Sequence, residues 1–315
     1  MKPGLLYFFF SLPLFIAAQN GDTTVPVSKK VITLKEVIVR KGLNISNLIE
    51  RMEKDTSFYK AFKNLKILGF TALNDIRMLD KDGREQASLQ SRTRQSVSND
   101  CRTMQVLEEH TTGDIYNADK NWNYYTAELY AGLFMVKGTR CGEDNVVGDV
   151  TLNVKGKSGM DKHREQLKML FFNPGKKIPG IPFVGDKLAV FDDDMAAYYD
   201  YTIDMADRDG QNCYVFVVKA RDNLTGREKD RIVINEMTTW FNSSTMEIVG
   251  RNYDLSYNAG VYDFDVRMEV QMTKVGEWVV PHLIRYTGNW HALFKKRERG
   301  IFTATLFDFN QGSRH

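Results

Sequence analysis

From Tyr262 to Met272 apolar and polar residues alternate without a break. Tyr262, Phe264, Val266, Met268, Val270 and Met272 take one side, and Asp263, Asp265, Arg267, Glu269 and Gln271 the other. Successive side chains on a strand point to opposite faces, so this segment is a strand about 35 Å long with one oily and one charged face. A sheet made of such strands must cover its apolar face with helices or curl around an apolar ligand. The charged outer set excludes a membrane-spanning barrel, whose outside has to be apolar.

Further strands follow from the turn chemistry. Asp80-Lys81-Asp82-Gly83, Asp207-Arg208-Asp209-Gly210, Asn242-Ser243-Ser244-Thr245 and Lys274-Val275-Gly276-Glu277 each separate two strand-like runs, the expected composition of hairpin turns. With a last strand over residues 301–309, the consecutive runs predict an antiparallel meander. Residues 31–40 are rich in β-branched side chains and predict another strand. Helices are expected over 44–54, with Leu48, Ile49 and Met52 on one face, and over 56–62, with Phe58, Tyr59 and Phe62 at helical spacing. An amphipathic helix over 158–172 ends at Asn173-Pro174-Gly175 and is expected to lie on or plug a curved sheet.

The N-terminus carries a targeting pattern. Lys2 precedes the apolar runs 5–10 and 12–18, after which the chain turns polar, as in a cleaved signal peptide. The expected organisation is a signal peptide over 1–18, an N-terminal strand and helices over 19–64, and a β-rich domain over 65–315 with the 158–172 helix inserted. The expected location is the periplasm or cell envelope. With 43 basic and 40 acidic residues the charge is nearly balanced, which leaves no electrostatic footprint for nucleic acid. Of the cysteines, Cys101 and Cys141 sit in polar, turn-rich surroundings and could pair in an oxidising compartment, whereas Cys213 opens an apolar run and reads as a buried thiol.

No nucleophile elbow, P-loop, dinucleotide fingerprint or paired metal-ligand motif occurs, and the chain reads as non-enzymatic with no cofactor. His282 belongs to the run Trp278-Val280-His282-Ile284-Tyr286, expected to face inward, and reads as a core histidine. Asp192-Asp193-Asp194 reads as a solvated turn and Lys295-Lys296-Arg297-Glu298-Arg299 as a wet hairpin end. The largest coherent set is apolar. Tyr201, Met205, Phe264, Met268, Met272, Trp278 and Ile284 are the candidate ligand-binding residues, forming either a groove for an acyl chain or an ordinary core. In the first case the 158–172 helix and the 173–186 loop would act as its lid. The alternative is a non-catalytic glycan-binding or scaffold module of the envelope using Trp122, Tyr124, Tyr125 and Tyr130, since aromatic faces stack on sugar rings.

The order of elements from residue 198 to 310 carries a resemblance. Tyr199-x-Tyr201-x-Ile203, the Cys213 to Lys219 strand, Arg231 to Ile234, Thr239-Trp240-Phe241, Thr245 to Val249 and Gly276-Glu277-Trp278-Val279-Val280-Pro281 resemble the outer-membrane lipoprotein-sorting (LolA/LolB-like) group. The resemblance implies an antiparallel open β-barrel, a half-barrel covered by helices on its concave apolar face. It also implies a lipid or lipoprotein acyl chain as ligand, with envelope proteins as further partners. The 19–150 region is additional to that pattern. Leu34 to Val39 and the helix after it resemble N-terminal segments of Bacteroidetes envelope proteins.

Overall fold

The computed structural model describes residues 23–27, 30–37, 45–147, 169–177, 184–258, 262–292 and 296–312. Its strands are β1 (Thr23–Val27), β2 (Lys30–Val37), β3 (Leu68–Leu79), β4 (Glu85–Ser98), β5 (Cys101–Gly113), β6 (Thr139–Cys141), β7 (Tyr199–Arg208), β8 (Gln211–Ala220), β9 (Ile234–Asn242), β10 (Ile248–Asn258), β11 (Tyr262–Val275), β12 (Trp278–Ala292) and β13 (Glu298–Gln311). They form one sheet of 13 strands in the order β1-β2-β7-β8-β9-β10-β11-β12-β13-β3-β4-β5-β6. The ends of that order do not pair, so the barrel is open. Every pairing is antiparallel except that of β2 with β7.

The meander from β7 to β13 follows from its turns. Asp209 and Gly210 both have positive φ (53° and 76°), the mirror-image turn that matches the twist of a hairpin. Asn99 and Asp100 do the same between β4 and β5. At the β3–β4 turn the Asp80 carboxylate accepts the backbone N–H groups of Asp82 (2.8 Å) and Arg84 (2.9 Å).

Helices close one face of the sheet. α1 (Ile45–Lys54) buries Leu48, Ile49 and Met52, and α2 (Ser57–Asn64) buries Phe58, Ala61 and Phe62. Both match the helical spacing read from the sequence. Of the expected 158–172 helix, residues 169–172 are helical, and 158–168 lie outside the described residues, as do the signal segment 1–18 and residues 178–183 of the expected lid loop.

A third helix, α3 (Tyr125–Phe134), stands where the sequence led us to expect strand and turn. Its segment is apolar on most sides and shows no amphipathic stripe, although it buries one face with Thr126, Ala127, Leu129 and Tyr130 and leaves Gly132 exposed. Tyr130 is fully buried against Phe302 (ring centroids 5.2 Å), Tyr286 (4.7 Å) and Phe171 (6.2 Å). The start of α3 is held from 172 and 173 residues away, where the Glu298 carboxylate accepts the N–H groups of Thr126 (2.7 Å) and Tyr125 (2.9 Å). Glu298 therefore caps a helix and does not belong to a freely solvated hairpin end.

Candidate functional site

The covered face is organised by strand register. Tyr201, Val218, Met237, Tyr253, Met268, Tyr286, Phe302, Ile76 and Leu89 are successive cross-strand partners. All of them are buried. The row spans nine strands, about 38 Å at the usual inter-strand spacing. Tyr201 and Met268 thus share a row but stand four strand spacings apart, about 19 Å. The candidate residues form a wide face, not one compact pocket.

Tyr201, Phe191 and Phe216 form a triangle of rings, and the Tyr201 hydroxyl donates to the Val190 carbonyl (2.5 Å). Phe264 packs on Trp290 (4.9 Å between ring centroids). Met268 lies under Tyr253, whose hydroxyl donates to the Phe171 carbonyl (2.9 Å). Met272 and Ile284 are buried. Trp278 is half-buried beneath the Lys60 ammonium of α2, 5.7 Å from its ring centroid. Met205 is half-exposed near the outer end of β7.

The centre of this face is occupied by the protein's own rings. Tyr286 stacks on Phe171 (5.1 Å) and meets Tyr130 edge-on, and its ring lies back along β12 over Gly288, where a Cβ would come within 2.1 Å of the Tyr286 hydroxyl oxygen. Phe134 of α3 covers Phe302 (5.1 Å) and reaches Phe62 of α2 (6.3 Å). Among the described residues the cover is helical, with no second sheet over this face.

The inward run expected along β12 is interrupted. Met272 pairs with Pro281 and Gln271 with Leu283, so His282 is the extra residue of a bulge. It is half-buried, and burial lowers its pKa.

An ion pair lies within the apolar cover. Arg251 of β10 and Asp55, which joins α1 to α2, are 3.3 Å apart with side chains 9% and 11% exposed. The Arg251 Nε donates to Thr239 Oγ1 (2.9 Å), and its guanidinium lies 4.6 Å from the Phe58 ring centroid. Burial lowers the Arg251 pKa, opposed by Asp55. The other Asp55 oxygen accepts the Ser57 N–H (3.0 Å) at the start of α2. Nothing in the chain's local pattern announces this pair, because its members are 196 residues apart.

The outer side of α2 is strapped down. Cys101 and Cys141 are disulfide-bonded, and the residues after Cys141 run over α2. Lys63 pairs with Asp144 (3.2 Å), Lys66 with Glu143 (3.0 Å), Lys60 donates to the Asn145 carbonyl, and Asn145 donates to Asn64 Oδ1 (2.9 Å). Burial raises the Glu143 pKa, but hydrogen bonds and charge from Arg102 and Lys66 outweigh it and bring it down to about 2.

The aromatic set considered for sugars is divided. Tyr130 is in the core, Trp122 packs half-buried on Tyr116 (4.7 Å), and the Tyr124 hydroxyl donates to Asp114 (2.5 Å). These residues make no common platform. The three aspartates at 192–194 lead into the helical turn Asp193–Ala196, and among the described residues no group of three or more His, Cys, Asp or Glu could hold a metal ion.

No family model matches the sequence, and no curated protein matches it. Among solved structures the chain is similar to a DUF1329 family protein from Desulfovibrio piger, 10% identical, covering 83% of this chain and 92% of that one with a TM-score of 0.28. It is also similar to an outer membrane lipoprotein-sorting protein domain from Vibrio parahaemolyticus, 10% identical over 82% of this chain and 92% of the other, TM-score 0.27. Lipovitellin, in a structure describing lipid–protein interactions, is 6% identical over 79% of this chain and 26% of its own length, TM-score 0.26. At these TM-scores the reading of the site rests on its own residues.

Proposed function

We propose that the protein is an exported, non-enzymatic envelope protein that holds the acyl chain of a lipid or lipoprotein against the covered face of its open barrel. The signal-peptide pattern of residues 1–18 supports export, and the resemblance to lipoprotein-sorting proteins and Bacteroidetes envelope proteins supports the setting. One observation carries the reading: an unbroken apolar row nine strands wide is covered, among the described residues, by α1, α2 and α3, helices of 10, 8 and 10 residues. Short covering elements of this kind are drawn from the less stable parts of a fold and can move as units.

The structure described is the closed form, and entry of a ligand requires α1 and α2 to lift. Exposing Leu48, Ile49, Met52, Phe58 and Phe62 together costs about 8–15 kcal/mol at about 1.5–3 kcal/mol per large apolar side chain. An acyl chain with about fourteen methylenes regains about 11 kcal/mol when buried, at about 0.8 kcal/mol each. The two are of the same size, so burial of the chain offsets the opening of the cover. Met268 and Met272 suit it, because the flexible thioether adapts to irregular apolar shapes.

Native mass spectrometry of protein purified from its host envelope tests the reading. A co-purifying lipid, or saturable uptake of a fluorescent fatty acid by the delipidated protein, is expected. A clean unliganded species that takes up no fatty acid overturns it.

A further inference from the structure

The ion pair under the cover indicates what the head of the ligand must be. Arg251 belongs to the sheet, as does Thr239, whereas Asp55 belongs to the α1–α2 link and starts α2. The same register that builds the apolar row places Arg251 next to it. Arg251 lies between Thr239 and Val270 in the neighbouring row, and Tyr253, Leu255 and Tyr257 follow on its own side of β10. Lys176, half-buried, follows the helical residues 169–172; burial lowers its pKa, and the charge of Asp55 opposes this. The neighbouring Gly175 would place a Cβ 3.0 Å from Met237 on β9, which sets this segment over the same end of the face.

Lifting α1 and α2 carries the Asp55 carboxylate away and leaves the Arg251 guanidinium without its anion in an apolar surround. A buried charge stripped of its partner is strongly destabilising, so a neutral ligand opens the cover at a penalty that an anionic ligand does not meet. The guanidinium fork matches a carboxylate or phosphate with two parallel hydrogen bonds. From Arg251 the apolar side of β10 runs six residues to Tyr257, about 20 Å, which gives the tail a track leading away from the head.

Building on the acyl-chain reading above, we propose that Arg251, Thr239 and Lys176 form a head-group subsite for amphiphiles bearing a carboxylate or phosphate. In the closed form the Asp55 carboxylate occupies the place of that anion.

The test is equilibrium binding of palmitate, hexadecyl phosphate and hexadecanol to the delipidated mature protein and to Arg251→Met and Asp55→Asn. The readout is the ratio of anion to alcohol affinity, in which any common change in cover opening cancels. The wild type is expected to prefer an anion at least tenfold, Arg251→Met to bring the ratio near one, and Asp55→Asn to keep the ratio while tightening all three ligands several-fold, because the carboxylate they displace is gone. Arg251→Lys keeps the charge without the fork, is expected to lower the ratio several-fold, and carries the test if Arg251→Met does not fold. A response confined to palmitate or to hexadecyl phosphate assigns the subsite to that head group. Equal binding of alcohol and anions by the wild type overturns the head-group subsite and leaves the acyl reading standing. Binding of none of the three overturns both.

Discussion

Beneath α3, residues 169–175 and residues 190–191, strands β7 to β12 present Tyr201, Met237, Tyr253, Met268 and Tyr286. On the same side of the sheet, β3 and β4 present Asn74, Ser91, Thr93 and Gln95, also buried. The polar sector satisfies itself. Asn74 Nδ2 donates to Ser91 Oγ (3.3 Å) and Thr93 Oγ1 (3.2 Å), and Gln95 Nε2 donates to the carbonyls of Leu65 (2.7 Å) and Leu68 (2.6 Å). Such bonds are directional, and each broken one leaves a buried polar atom at a cost of about 1–3 kcal/mol. Over β7 to β12 the directional bonds include those of Tyr201, Tyr253 and Arg251; the packing around them is apolar and has no such direction, so those side chains can give way to a hydrocarbon guest. One sector is a fixed wall and the other an exchangeable interior.

The sharpest way to break this comparison is Tyr286→Ala. The ring is held by Tyr130 and Phe171, so its loss is expected to cost about 4 kcal/mol in denaturant unfolding. A cost near zero would mean that the sector is loosely filled. Second in size is Cys141→Ala. The disulfide closes a separation of 40 residues, and its removal is expected to cost about 3 kcal/mol while raising amide exchange in α2 more than in β3 and β4. Equal exchange in both places would separate the strap from the cover.

Asn74→Ala is expected to cost about 2 kcal/mol and to leave fatty-acid uptake unchanged, since it lies in the wall. Reduced uptake would bring the polar residues of β3 into the binding face. The smallest effect concerns Glu143. Its folded pKa of about 2 lies below the ordinary carboxylate value of 4.5, so its contribution is complete above 4.5 and is lost as pH falls toward 2. After allowance for solvent screening it is expected to be about 1 kcal/mol, read as a pH 6 to pH 3 stability difference that shrinks in Glu143→Gln. An unchanged slope would remove Glu143 from the strap.

What the sequence revealed and what it hid divide along physical lines. Strict alternation in β11 and the Asp-Gly and Asn-Ser turns are local signals, and they gave the meander and its covered face correctly. Helices α1 and α2 were legible because one side of each remains wet. Helix α3 was not, since a segment apolar on most sides has no clear 3.6-residue stripe, and its cap comes from Glu298 on β13. The bulge at His282 broke the alternation expected in β12, and only its partner strand reveals the extra residue. Arg251 looked like any charged residue, because Asp55 reaches it through tertiary structure alone. The aromatic cluster from Trp122 to Tyr130 read as one patch, but folding sends Tyr130 inward and leaves Trp122 at the edge.

Hydrogen exchange with and without palmitate tests the central claim most directly, because it reports on the cover and the wall in one experiment. The account predicts that saturating palmitate speeds exchange in α1 and α2 by at least tenfold while β3 and β4 stay unchanged. Bound palmitate with unaltered exchange in α1 and α2, or with loosened β3 and β4, would contradict it.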